Sequence, residues 1–159
     1  MLIAGRTAQE FNRRKKPRGD FWEDRYHATA VQTDSHLARC ITYIDLNMVR
    51  ARAIAHPCEW AVAGYNEIQD PWQRKGVIDF ETLVALLDAS STGELARMQN
   101  RWLDAELGVS RRAPEWTESV AVGEEAFLAD FKIMLGARGI HRELSSVGNG
   151  WVLRDRRWA

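Results

Sequence analysis

The chain lacks several features that would mark a secreted or membrane protein. Its 159 residues contain no apolar run long enough to span a bilayer, and the N-terminus has no apolar block like that of a signal peptide. Only two cysteines are present, Cys40 and Cys58, and they do not form a metal-ligand pattern. The sequence therefore predicts a cytoplasmic protein whose thiols stay reduced.

An excess of charge of one sign is also lacking, since 22 basic residues balance 22 acidic ones. The distribution is nevertheless uneven: residues 1–33 carry seven basic and four acidic side chains, and residues 138–159 carry five arginines against two acids. Basic ends around an acidic middle are typical of a protein that touches phosphates with selected surfaces. The hydrophobic content of 45% and the seven tryptophans predict a buried core in a chain of single-domain length.

Residues 33–53 are predicted to form one amphipathic helix around which the rest of the chain is organised. One stripe of this helix is apolar and is expected to dock on the core, while a second stripe about 130° away is expected to face outward. Thr33 or Asp34 is predicted to cap the first turn, and Arg50 and Arg52 lie near the last carbonyls. The apolar stripe consists of Leu37, Ile41, Ile44 and Met48, and the outward stripe of His36, Arg39, Tyr43, Asn47 and Arg50.

The string TYIDLNMVRARAIAHPCEWAVAGYNEI at residues 42–68, preceded by FWEDRYHATAV at residues 21–31, resembles the REP-associated branch of the IS200-like tyrosine transposases. The resemblance is specific over residues 21–68 and weaker up to residue 135. It implies a protein of mobile elements that carries out DNA transposition. It also implies single-stranded or hairpin DNA as the partner, and it leaves a homodimer open.

The resemblance assigns roles to two residues of the predicted helix. In that family the tyrosine matching Tyr43 attacks a phosphodiester and becomes linked to the 5′ phosphate, and an amide matching Asn47 helps to hold Mg²⁺ or Mn²⁺. Residues four apart lie one above the other on a helix, so one helix can present both groups to one phosphate. Without the flanking string, a tyrosine on a polar helix face would be an ordinary surface residue. The basic residues expected to contact DNA are Arg13, Arg14, Lys15, Lys16, Arg25, Arg39 and Arg50.

One part of that family's site is missing from this sequence. Members of the family hold the metal with two histidines one residue apart on a strand, so that both rings point to the same face. The histidines of this chain are His27, His36, His56 and His141, and none of them forms a His–x–His pair. Because the pair would precede residue 1, we expect the chain to be a C-terminal portion of a transposase. The Mg²⁺ or Mn²⁺ site at Asn47 would then be incomplete.

The remaining patterns predict a helix-rich α+β fold with a remnant of the small mixed sheet of tyrosine transposases. Residues 1–68 are interpreted as the C-terminal part of the transposase domain, with a helix at 1–16 and a strand at 21–32. Residues 69–159 are interpreted as a helical C-terminal region with a basic tail. Its predicted elements are a helix capped by Asp79, a helix over 92–107 with Ser91 and Glu94 in capping-box spacing, an irregular linker over 110–123, a helix over 124–135 and a short strand over 151–154.

Three functional hypotheses follow. The first is a transposase portion that acts through a 5′-phosphotyrosine intermediate. The second is a non-catalytic DNA-binding remnant, which predicts salt-sensitive binding without cleavage. The third is a degenerate product, which predicts no cooperative unfolding. The basic residues 13–16 fit either a clamp on a DNA backbone or a solvated helix terminus favoured by the helix dipole.

Overall fold

The computed structural model of the chain describes residues 10, 13–14, 28–73, 76–108, 113–148 and 150–156. Within this part, seven α-helices and four strands confirm the predicted helix-rich α+β class. The helices are α1 (Ser35–Asp45), α2 (Asn47–Arg50), α3 (Gly64–Gln69), α4 (Phe80–Leu86), α5 (Thr92–Glu106), α6 (Glu115–Glu118) and α7 (Glu125–Met134). The strands are β1 (Ala30–Val31), β2 (Ala121–Gly123), β3 (Arg142–Val147) and β4 (Gly150–Asp155), and short 3-10 helices lie at Pro57–Glu59, Pro71–Gln73 and Gly136–Gly139.

The four strands form one mixed sheet in the order β1-β2-β4-β3. β1 runs parallel to β2, while β4 is antiparallel to both β2 and β3. The register places Ala30 opposite Ala121 and Val122 opposite Val152. The sheet therefore joins a strand from residues 1–68 to three strands from residues 69–159, and the division of the chain at residue 68 stays a prediction.

The sheet is covered by α7. Leu128 of this helix is fully buried together with Ala121 of β2 and Leu153 of β4, and Phe127 and Phe131 pack around them. The predicted helix over 124–135 and the strand over 151–154 are thus confirmed, with slightly different ends. The prediction of an irregular linker over 110–123 is wrong at its C-terminal end. Residues 121–123 form a buried central strand, which pairs by hydrogen bonds with β1 on one side and β4 on the other.

The predicted helix over 33–53 is shorter than expected and is interrupted. Leu46, with φ −79° and ψ 0°, separates α1 from α2, although its main chain still donates to the Thr42 carbonyl at 3.0 Å. The predicted side-chain cap is absent among the described contacts: Asp34 has φ 63° and its carboxylate caps no main-chain N–H. Instead the Asp34 N–H donates to the Leu86 carbonyl at 3.2 Å, so α4 holds the start of α1.

The buried side of α1 is rotated relative to the predicted apolar stripe. Leu37 and Ile41 do pack on the helical core, but Ile44 is 63% exposed. His36, Thr42 and Asp45 are buried in its place. Thr42 and Asp45 can occupy this side because their polar groups are satisfied there: the Thr42 hydroxyl donates to the Ala38 carbonyl at 2.9 Å, and Asp45 has a partner on α5.

The two predicted helices after residue 79 are confirmed with their caps. The Thr82 N–H donates to the Asp79 carboxylate at 3.2 Å, and the Glu94 N–H donates to the Ser91 hydroxyl at 3.2 Å. The capping box is shifted by one residue, since the Glu94 carboxylate accepts from the Ser90 N–H at 2.7 Å. The core-facing stripe of α5 is formed by Leu95, Gln99 and Leu103.

A series of hydrogen-bonded amides, of which Gln99 is fully buried and the others are partly buried, links α1, α3 and α5. The Tyr65 hydroxyl donates to Asn100 at 2.8 Å, and the Asn100 amide donates to Gln69 at 2.9 Å. The Gln69 amide donates to Gln99 at 2.7 Å, and the Gln99 amide donates to the Asp45 carboxylate at 2.8 Å. In this series of hydrogen bonds, each donor lies one step further from Asp45 than its acceptor. The Asp45 carboxylate at the end of the series only accepts, so it fixes which end of each amide donates and which accepts.

Candidate functional site

A cleft of about 330 Å³ opens beside α1, α2, α5 and α6. We call it the Tyr43 cleft. Seven of its lining residues carry charged or aromatic side chains: Arg39, Tyr43 and Arg50 from α1 and α2, Trp102 and Glu106 from α5, and Glu115 and Trp116 from α6. The volume is that of a small-ligand pocket, which allows entry of a single nucleotide unit rather than a duplex.

Four of these side chains are layered one on another. The Arg50 guanidinium carbon lies 4.0 Å from the centre of the Tyr43 ring, and the Tyr43 ring lies 6.4 Å from that of Trp116 at an angle of 37°. The Arg39 guanidinium carbon lies 5.7 Å from the Trp116 ring centre. Cations are attracted to aromatic faces, so each arginine is held over a ring while its N–H groups remain available for hydrogen bonds.

Each arginine of the cleft has one further contact. Arg50 donates to the main-chain carbonyl of Tyr43 rather than to its hydroxyl. Arg39 Nη2 lies 3.9 Å from Glu115 Oε1, which is an ion pair but longer than a hydrogen bond. The Arg39 side chain is 43% exposed and that of Glu115 is 14% exposed. Arg39 can therefore turn toward a phosphate or a base at little cost.

The structure brings together three of the residues that the sequence predicts for the site. Tyr43, Arg39 and Arg50 all line the cleft. Asn47 is exposed and does not line it, and the helix interruption at Leu46 lies between Tyr43 and Asn47. Whether Asn47 helps to hold a metal stays a prediction.

The predicted basic contacts near the N-terminus are described only in part. Arg13 and Arg14 are exposed and both contact Glu10, at 2.7 Å and 2.6 Å. These two hydrogen-bonded guanidinium groups lower the pKa of the Glu10 carboxyl. Lys15, Lys16 and Arg25 lie outside the described residues, as does nearly all of the predicted helix over 1–16 and most of the strand over 21–32. DNA binding by these residues stays a prediction.

His36 is buried, which corrects the prediction that it faces outward with Arg39 and Tyr43. Its ring abuts the backbone of β4: a Cβ added at Gly150 would lie 2.9 Å from His36 Cε1. Burial lowers the pKa of His36, the nearby Arg39 charge lowers it further, and Glu124 opposes them. Its Nδ1 is buried without a hydrogen-bond partner. We infer that the neutral ring joins α1 to the sheet by packing.

The metal implied by the family resemblance has no ligand cluster in the part of the chain that is described. No group of three or more His, Cys, Asp or Glu side chains converges there. Mg²⁺ and Mn²⁺ are held by several oxygen ligands in a defined geometry, and Asn47 alone does not supply them. Among the described residues, the side chains present therefore do not fit a complete Mg²⁺ or Mn²⁺ site.

The aromatic and acidic half of the cleft was missed from the sequence. Glu115 and Trp116 fall in the segment predicted as an irregular linker, and the sequence predicts no role in the site for Trp102. A tryptophan two residues after a proline, Trp116 after Pro114, in an arginine-containing segment was the available signal, but nothing local placed it near Tyr43. Their contribution to the cleft comes from tertiary packing alone.

Comparison of the chain with family models, with curated proteins and with solved structures found no match. Across residues 28–73, 76–108, 113–148 and 150–156, no helix is both long and apolar enough to cross a membrane. The family resemblance therefore remains an expectation from the sequence. Function has to be inferred from the chemistry of the Tyr43 cleft.

Proposed function

We propose that the chain is a portion of a tyrosine transposase that binds single-stranded DNA in the Tyr43 cleft, where the Tyr43 hydroxyl is the nucleophile. The observation that carries this proposal is the layered set of two arginines and two aromatic rings around Tyr43. The family resemblance of residues 21–68 supports the role of the tyrosine.

The arginines and the tryptophan rings of the cleft each have a use in binding unpaired DNA. Guanidinium groups make charge-assisted, often paired hydrogen bonds to phosphate oxygens, and Arg39 and Arg50 provide two of them. An unpaired base can stack on a tryptophan ring, a contact worth about 1–3 kcal/mol per base. Duplex DNA keeps its bases stacked internally and cannot use such a ring. The cleft therefore favours single strands and hairpin flanks.

The proposed reaction is the transfer of a phosphoryl group to Tyr43. The phenol oxygen of Tyr43 attacks the phosphorus of a phosphodiester and loses its proton to solvent. The bond from phosphorus to the 3′ oxygen breaks, and the 3′ oxygen takes up a proton. The product is a 5′-phosphotyrosine, which keeps the ester bond for later rejoining. Arg39 and Arg50 offset the negative charge that develops on the phosphoryl oxygens.

The test is an adduct assay with a labelled hairpin oligonucleotide that has single-stranded flanks, in buffers with Mg²⁺ or Mn²⁺. The native chain should give a covalent complex on a denaturing gel, and Tyr43→Phe should give none while still binding the oligonucleotide. Tyr65→Phe is the matched control, because the Tyr65 hydroxyl is bonded to Asn100 in the core. An adduct on the Tyr43→Phe protein would show that the nucleophile is wrongly assigned.

A second candidate function is non-catalytic binding of single-stranded DNA. Two observations favour it: the described residues contain no cluster of metal ligands, and Asn47 lies outside the cleft. This candidate predicts binding that weakens with salt and no adduct even in Mn²⁺. For single strands the slope of log K against log salt is about −0.7 per phosphate neutralised, so two cleft arginines contribute about −1.4. Binding that does not respond to salt would contradict both candidates.

A further inference from the structure

The Tyr43 cleft contains an acidic side chain that phosphate binding does not explain. Glu115 directly precedes Trp116 on α6, and both line the cleft. A carboxylate repels the DNA backbone, so its presence in a surface that only bound phosphates would weaken binding. Glu115 is also mostly buried, which makes its carboxylate a defined part of the cleft wall rather than a solvated surface charge.

Glu115 and Arg39 place a hydrogen-bond acceptor beside a hydrogen-bond donor in the wall of the cleft. Their charged atoms lie 3.9 Å apart, too far for a direct hydrogen bond, so each keeps hydrogen-bonding capacity for a ligand. A carboxylate only accepts hydrogen bonds, and a guanidinium only donates them. Arg39 is also held over the Trp116 ring. A planar ligand stacked in this part of the cleft therefore meets an acceptor and a donor at its edge.

We infer that the cleft takes one unpaired base that donates its exocyclic amino group to Glu115, and that it prefers cytosine to thymine. This inference rests on the proposed binding of single-stranded DNA. Cytosine has an amino donor at N4 beside an acceptor at N3, the order that Glu115 and Arg39 complement. Thymine has an acceptor at O4 beside a donor at N3, the reverse order. Its O4 would face a carboxylate and its N3–H would face a guanidinium.

The expected preference is at least about fivefold, since one good paired base contact discriminates by about 1–3 kcal/mol. The two bases are nearly equal in size, so stacking on Trp116 contributes little to the difference. The preference should depend on the Glu115 carboxylate and should not require cleavage. It is therefore measurable by binding alone.

The experiment measures fluorescence anisotropy of labelled oligo(dC) and oligo(dT) of equal length with the full chain at pH 8, where cytosine is neutral. Homopolymers offer the same base in every register, so the position of the strand need not be known. The native chain should bind oligo(dC) at least about fivefold more tightly. Glu115→Gln should bring the ratio close to one, because an amide both accepts and donates.

Two further variants separate the outcomes. Glu115→Asp keeps the carboxylate and should keep a preference for oligo(dC), and Glu125→Gln removes an exposed acid of α7 and should leave the ratio unchanged. Equal binding of both oligonucleotides by the native chain, or a full preference retained in Glu115→Gln, would overturn the inference and leave the proposed function standing. Failure to bind either oligonucleotide would overturn the proposed function itself.

Discussion

Asp45 should make the stability of this protein depend on pH in a direction opposite to that of an ordinary surface acid. Its side chain is 8% exposed, and burial raises its pKa from 3.8 to about 6, while the Gln99 amide and the Tyr65 N–H lower it. Between these two pKa values the folded chain binds a proton that the unfolded chain does not. The contribution of Asp45 to the free energy of unfolding therefore falls as the pH rises from about 4 to above 6, and it is smallest when Asp45 is ionised in both states.

The size of the effect follows from the shift. A change of one pKa unit corresponds to about 1.4 kcal/mol, so the move from 3.8 to about 6 corresponds to about 3 kcal/mol of unfolding free energy in total. About 2 kcal/mol of this is lost between pH 4 and pH 7, because the carboxyl of the unfolded chain is already more than half ionised at pH 4. Asp45→Asn removes the titrating group and should remove this contribution. The hydrogen bond from Gln99 can be retained, because the asparagine oxygen also accepts.

The assay is urea unfolding of the native chain and of Asp45→Asn at half-unit steps from pH 4 to pH 7.5. The difference between the two proteins isolates Asp45 from the other acids. Asp130→Asn, which changes an exposed acid on α7, is the matched control and should track the native chain. A difference between the native chain and Asp45→Asn that is constant across this range would refute the assignment of a raised pKa to Asp45.

Two other predictions concern the cleft and the contact between α1 and the sheet. Arg39→Ala should weaken binding to single-stranded DNA and reduce the slope of log K against log salt by about 0.7. A binding titration at several salt concentrations measures this slope. An unchanged slope would mean that Arg39 contacts no phosphate. Gly150→Ala should destabilise the fold by about 1–3 kcal/mol in chemical unfolding, because the added Cβ would lie 2.9 Å from His36. Gly108→Ala is the control, since a Cβ at Gly108 meets nothing within 4 Å. Equal effects of the two substitutions would contradict the close packing of His36 on Gly150.

Elements with strong local signals were predictable from the sequence. The helices capped by Asp79 and Ser91 have a capping residue followed by a periodic apolar face, and both appear with those caps. The helix around Leu128 is likewise marked by its own apolar spacing. β2 and β3 gave no such signal: β2 has three residues, and β3 is a largely polar strand defined by its antiparallel pairing with β4. Their stability comes from partners distant in sequence.

The candidate site likewise contains residues that the sequence could predict and residues that it could not. Arg39, Tyr43 and Arg50 share one side of the central helix segment, and helical periodicity alone predicted that they lie together. Trp102, Glu115 and Trp116 join them only through tertiary packing, which a single sequence does not reveal. The burial of Asp45 was missed for the same reason, since its partner Gln99 is 54 residues away along the chain.

Photo-cross-linking with an iodinated deoxycytidine oligonucleotide, followed by peptide mass spectrometry, tests most directly whether single-stranded DNA enters the Tyr43 cleft. Trp72 is an internal control, because its ring is almost fully exposed and lies outside the cleft. The account predicts cross-links at Trp116 or Tyr43 that an excess of unlabelled oligo(dC) removes. Cross-links confined to Trp72 and other residues outside the cleft would contradict it.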